Sequence, residues 1–335
     1  MNIRYASSKL IILSLLLAFV AVGFAGTRAL SVRERLRSHQ QIPSDSQPGD
    51  SEVTRLRVRS LSQAGYRYRV EGKYDSAQPP LIEALAIAEE TFGPDDVEVA
   101  AVLNQIGMLD KYTGRFDEGA QVYHRALAIL EKALGPDHPK VADIYHNLGG
   151  LEHARGRYAE GEPFARRSVE IRESLLGPDH PDTAADVAAL AAILDGQGRY
   201  QEAERLYLRA IAVFERDYGS ENYDVAVNLN NLAALYQTQG KLREAEQHYR
   251  RALEIKEKLL GTDHPDVAMT LNNLAVLYKL HGRYQQAEPL YRRALMIFER
   301  ALSPTHPRVI TCRANYGQLL REMNRQAGRA RLRDS

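Results

Sequence analysis

A glycine that closes an apolar phrase returns along this chain at one interval: Gly93, Gly135, Gly177, Gly219 and Gly261 are each 42 residues apart, with Ser303 in the sixth place. A second phrase keeps the same step: Gly72-Lys73-Tyr74, Gly114-Arg115-Phe116, Gly156-Arg157-Tyr158, Gly198-Arg199-Tyr200, Gly240-Lys241-Leu242 and Gly282-Arg283-Tyr284. Self-similarity at a fixed step of this size builds a stacked solenoid, because each repeat buries its apolar face only against its neighbours. Such an array works along an extended surface rather than in one pocket.

Residues 224–265 show one unit clearly. Val225, Leu229, Leu232, Ala233, Leu235 and Tyr236 recur at three- and four-residue spacing, which predicts one apolar stripe on a helix. Gly240 stops that helix. Glu244 to Leu260 makes a second, with Ala245, Tyr249, Ala252, Leu253, Ile255 and Leu259 inward, and Gly261 ends it. Pro265 then opens the next helix, where its missing N–H is not required.

Small residues stand where paired helices must approach: Gly65, Gly107, Gly149, Ala191, Ala233, Ala275 and Gly317 in first helices, and Ala77, Gly119, Gly161, Ala203, Ala245 and Ala287 in second helices. Tyr123, Tyr207, Tyr249 and Tyr291 are expected to fill the wider gaps. Pro79, Pro163 and Pro289 read as marks near the starts of second helices, where few backbone bonds are lost.

These phrases resemble tetratricopeptide repeats of the 42-residue variety seen in kinesin light chains and many bacterial repeat proteins. The resemblance covers most of the chain. It implies an all-α TPR solenoid: antiparallel helix pairs in a right-handed superhelix whose first helices line the concave face.

About six 42-residue units plus a closing helix are expected over 52–324. Ahead of them, residues 1–25 carry Arg4, Lys9 and an apolar run from Leu10 to Phe24, followed by small residues. That pattern reads as a secretory signal peptide, with an uncleaved N-terminal anchor as the alternative, and places the protein in the periplasm or outside the cell. Residues 26–51 read as a flexible tether and 325–335 as a basic tail. The closing helix is expected from Pro307 to Met323, with Asn324 in the place of a turn glycine. A formal charge of +1 sets up no field that would attract nucleic acid. Cys312 is the one cysteine, so no intramolecular disulfide forms, and its apolar phrase predicts a buried thiol.

Asparagine is a poor mid-helix residue. Yet Asn230-Asn231 and Asn272-Asn273 sit mid-way along first helices, with Asn104, Asn147 and Asn315 in related places. An exposed carboxamide offers one acceptor and two donors, matching the backbone of an extended peptide. In the resembled family, asparagine in this part of the first helix contacts peptide ligands. The competing expectation is that Asn only bridges neighbouring helices. Gln105, His146, Gln237, Thr238, Lys279 and Leu280 are expected to share the surface, while Ala188-Ala189 makes an apolar interruption between two polar segments.

His138, His180, His264 and His306 each precede proline at the repeat interval, which reads as helix-start chemistry rather than a metal site. The chain holds no GxSxG, HExxH, Walker or Rossmann phrase, so neither catalysis nor a cofactor is expected. The expected activity is a scaffold binding a protein or extended peptide segment. The alternative is self-assembly or packing in a membrane complex through the outer face, including a homo-oligomer. Membrane contact is expected only through the N-terminal segment.

Overall fold

The computed structural model describes residues 50–333. The leader expected over 1–25 and nearly all of the tether lie outside them. Thirteen helices and no strand make up the described residues. They are α1 (Asp50–Val70), α2 (Tyr74–Phe92), α3 (Val97–Thr113), α4 (Phe116–Leu134), α5 (Pro139–Ala154), α6 (Tyr158–Leu176), α7 (Pro181–Gly196), α8 (Tyr200–Tyr218), α9 (Tyr223–Thr238), α10 (Leu242–Leu260), α11 (Pro265–Leu280), α12 (Tyr284–Ala301) and α13 (Pro307–Arg333).

Odd-numbered helices are the first helices of repeats and even-numbered ones the second, paired antiparallel. Two compact units divide within α8, one ending at Leu206 and the other running on from Tyr207. In the first unit α1, α3, α5 and α7 touch in series; in the second, α9, α11 and α13 do the same.

Two glycine turns punctuate each repeat. Inside a pair, Gly114 is left-handed (φ 79°, ψ 10°), and the Arg115 N–H returns to the Asp110 carbonyl at 2.9 Å, closing the helix end. Between repeats the demand is stricter: Gly177 sits at φ 86°, ψ 163°, a region open essentially to glycine alone. Ser303 cannot follow that path, and α12 stops at Ala301 with Leu302 extended at φ −130°.

The histidines before proline are N-caps. Nδ1 of His138, His180, His264 and His306 each accepts the backbone N–H two residues on, at 3.1 Å. Asp96 and Asn222 hold the same place in their repeats and accept at 2.8 and 2.7 Å.

The expected close approaches are present. A Cβ on Gly107 would stand 2.7 Å from the Tyr123 ring, and one on Gly65 2.5 Å from Leu81. Tyr123, Tyr207, Tyr249 and Tyr291 are fully buried, as is Cys312, whose thiol burial pushes up to about 12. Gly317 differs: a Cβ there meets only the tip of Arg321, at 3.5 Å.

Other expectations need correction. Lys256 is fully buried on α10 while Leu259 is exposed, because the inward row Ala245, Tyr249, Ala252 continues at helical step onto residue 256. Pro79, Pro163 and Pro289 lie inside α2, α6 and α12 rather than at their starts. Each leaves one carbonyl of the first turn without its intrahelical donor, and the helix continues. The closing helix does not stop at Asn324 but runs to Arg333.

Candidate functional site

The repeat interval arranges the first-helix residues in columns. Asn104, His146, Ala188, Asn230 and Asn272 share one place; Gln105, Asn147, Ala189, Asn231, Asn273 and Asn315 share the next. A third column, seven residues beyond the first, reads Arg69, Lys111, His153, Asp195 in the unit ending at Leu206 and Gln237, Lys279, Arg321 in the other.

In the first unit, the Asn147 carboxamide donates to Asn104 Oδ1 at 2.7 Å, tying α5 to α3. His146 Nδ1–H donates to Asp186 Oδ1 on α7 at 2.5 Å. The other oxygen of Asp186 takes Arg172 Nε at 3.2 Å, and the same guanidinium contacts Asp143 and lies 3.8 Å from Asp182. Burial opposes the Arg172 charge, but the three aspartates hold its pKa above the ordinary value. His146 thus belongs to an interhelix network. The Gln105 side-chain oxygen is buried with no donor.

In the second unit, Asn273 donates to Asn230 Oδ1 at 3.3 Å, the counterpart of the Asn147–Asn104 link. Asn272 stands apart: it is 1% exposed, and neither its Oδ1 nor its Nδ2 has a hydrogen-bond partner. Gln237 accepts weakly from the Tyr249 hydroxyl at 3.4 Å, leaving its Nε2 without an acceptor, and Asn315 Nδ2 is in the same condition. Asn231 and Lys279 are also buried, and burial lowers the Lys279 pKa. Thr238 bonds its own helix at the Ala234 carbonyl, and Leu280 is exposed.

Two buried cations escape a reading based on apolar stripes. Ala88, Leu130, Arg172, Phe214, Lys256 and Phe298 share one second-helix place. Arg172 and Lys256 therefore replace core hydrophobes, a signal visible in the repeat register. Lys256 donates to Thr270 Oγ1 at 3.1 Å, and burial brings its pKa down to about 8. Lys258 contacts Glu221.

Among the described residues no three His, Cys, Asp or Glu side chains are grouped to hold a metal ion. No described helix is long and apolar enough to cross a membrane.

The profile described as tetratricopeptide repeat matches residues 57–98, 98–160, 141–216, 186–258, 224–300 and 282–327. No curated protein matches the chain in sequence. Its fold is similar to the crystal structure of BtubC (BKLC) from P. vanneervenii, at 24% identity over 74% of this chain and 91% of that one, TM-score 0.51. It is also similar to a Rap protein complexed with competence and sporulation factor, at 14% identity over 88% of this chain and 77% of that one, TM-score 0.62. With matched repeats running from residue 57 to residue 327, the chain belongs to the tetratricopeptide repeat family.

Proposed function

We propose that this protein is a non-enzymatic scaffold, exported and of the kinesin-light-chain-like repeat kind, that holds an extended protein segment against its first-helix layer. The Asn272 carboxamide carries the reading. A buried amide left without partners costs about 1–3 kcal/mol, and a bound peptide backbone supplies both the donor and the acceptor it lacks. Gln237 Nε2 and Asn315 Nδ2 in the same unit share that unmet capacity. The Asn273–Asn230 and Asn147–Asn104 links are structural, fixing the spacing of neighbouring first helices.

Crosslinking and co-purification from the cell envelope tests this, comparing wild type with Asn272→Ala at matched helicity. The variant is expected to fold with undiminished stability and to lose its partner about tenfold, the worth of one or two hydrogen bonds. Equal recovery of the same partner by both proteins would place the contact elsewhere and sink the proposal.

A further inference from the structure

Each of the two buried cations is answered from the first helix that follows it, by the residues ten and fourteen places on. Arg172 lies 3.8 Å from Asp182 and 3.2 Å from Asp186. Lys256 donates to Thr270 at 3.1 Å, and the Asp266 charge favours its protonated form. The repeat between them keeps the acceptors and lacks the cation. Asp224 and Asn228 stand ten and fourteen places after Phe214, an apolar and buried residue.

Asp224 is 7% exposed and Asn228 4%, and Oδ1 of each is buried without a hydrogen-bond partner. They stand one turn apart on one face of α9. The Asn228 side chain folds back toward Asp224, its Nδ2 donating to the Asp224 carbonyl at 2.8 Å. That bond fixes the orientation of the carboxamide and leaves its oxygen as an acceptor only. Two acceptors on adjacent turns thus lack a single donor between them.

Charges on the neighbouring elements are engaged elsewhere. On α8, Glu215 meets Arg251 and Arg216 meets Asp217. On α10, Glu246 meets Arg250 and Arg283, and His248 stacks on Tyr236 with its pKa lowered by burial. On α11, Asp266 takes the Tyr223 hydroxyl at 2.6 Å and faces Arg308 at 3.8 Å. Among the described residues no charge acts on Asp224, and burial alone raises its pKa from 3.8 to about 6.

We propose that Asp224 and Asn228 form a proton-operated lock in α9. A proton taken from solvent by the Asp224 carboxyl is donated to Asn228 Oδ1, and it stands where the neighbouring repeats place a cation. When the proton leaves, a buried charge is stranded beside an unmet carboxamide oxygen, and the helix opens more readily. The lock is complete below pH 3.8 and is lost as pH rises through about 6, the sense set by a raised folded-state value. It does not depend on the scaffold reading. Because α9 also carries Asn230 and Gln237, the lock sets how firmly those side chains are held.

NMR of the full chain between pH 4 and pH 8 tests this, following the Asp224 carboxyl carbon and the Asn228 side-chain amide, with hydrogen exchange of the α9 amides alongside. Both resonances should shift with one midpoint near 6. After correction for intrinsic rates, α9 should open about tenfold more readily at pH 7.5 than at pH 5, the proton-binding ratio for values of about 6 and 3.8. Asp224→Asn supplies a permanent donor of nearly the same shape, and its α9 opening should be low and independent of pH. That comparison also removes any share of His248. Asn228→Leu keeps the site apolar but removes the acceptor, and should lower the Asp224 midpoint. A wild-type midpoint near 3.8, or pH-dependent opening of α9 retained in Asp224→Asn, overturns the lock. A midpoint unchanged or raised in Asn228→Leu overturns the shared proton, because burial alone would then set the value. If leucine is not accommodated, the Asp224→Asn comparison still decides the outcome.

Discussion

Lys256 offers a stringent test of how this array tolerates charge in its core. Its pKa is about 8 against an ordinary 10.5, so the buried ammonium is disfavoured by about 3 kcal/mol at 1.36 kcal/mol per unit. At pH 7 the group is protonated in both folded and unfolded chains, and the whole penalty is present. Lys256→Met keeps the stem volume and removes the charge. Thr270 retains its bond to the Asp266 carbonyl at 3.3 Å, and Asp266 keeps the Tyr223 hydroxyl at 2.6 Å and Arg308 at 3.8 Å, so no partner is stranded. A gain of about 1–3 kcal/mol at pH 7 is expected.

The sign with pH is fixed by the depressed value. Above pH 8 the folded form sheds its proton while the unfolded form keeps it to 10.5. Wild-type stability then rises by about 1.4 kcal/mol per pH unit over that window, and the advantage of the variant closes. Lys111 has the same slope in both proteins, so the difference isolates Lys256. Urea unfolding at pH 7 and pH 9.5 measures it, with hydrogen exchange over α10 and α11 because a repeat array need not unfold in one step. A variant less stable at pH 7 with an unaltered pH slope would show that Asp266 neutralises the ammonium, and the reasoning would fail. Arg172→Met, at the same repeat place, should be destabilised by about 3–5 kcal/mol, because it removes the buried cation that faces Asp186 and Asp143.

Two further outcomes follow from the packing and the caps. Gly107→Ala should cost about 1–3 kcal/mol by thermal or urea unfolding, since its Cβ would press to 2.7 Å on the buried Tyr123 ring; an unchanged midpoint would contradict that contact. His306 has its pKa lowered to about 4 by burial and the neighbouring Arg308, so its contribution is complete above pH 6.5 and lost as pH falls toward 4, when protonation removes the Nδ1 acceptor of the α13 cap. His306→Asn, the residue type that caps α9 as Asn222, should keep the first-turn amides of α13 protected at pH 4.5 in hydrogen exchange. Equal loss of protection in wild type and variant would exclude the cap as the cause.

Much of the fold was legible because the backbone imposes demands that few residue types meet. A glycine at φ 86°, ψ 163° has almost no substitute, so its return every 42 residues marked each repeat boundary, and the serine in the sixth place coincides with the one helix end that takes another path. Capping also carried through, since imidazole, carboxylate and carboxamide all provide an acceptor at the same place. The far end was less legible: an absent turn glycine did not determine where α13 stops, because nothing else at Asn324 breaks a helix.

The binding surface was legible only as a column. Copies of one residue type at one place do not share surroundings, because each is met by whatever the adjacent repeat presents. Asn230 receives the amide of Asn273, whereas Asn272, one repeat later in the same column, receives nothing. Arg172 and Lys256 diverge likewise: one faces Asp186 at 3.2 Å, the other finds Thr270 two repeats on. Periodicity therefore separates candidates from core, and side-chain satisfaction then separates structural copies from those with unmet capacity. By that second test Asn272, not its bonded column-mate Asn230, is the position where the proposed partner would gain most by binding.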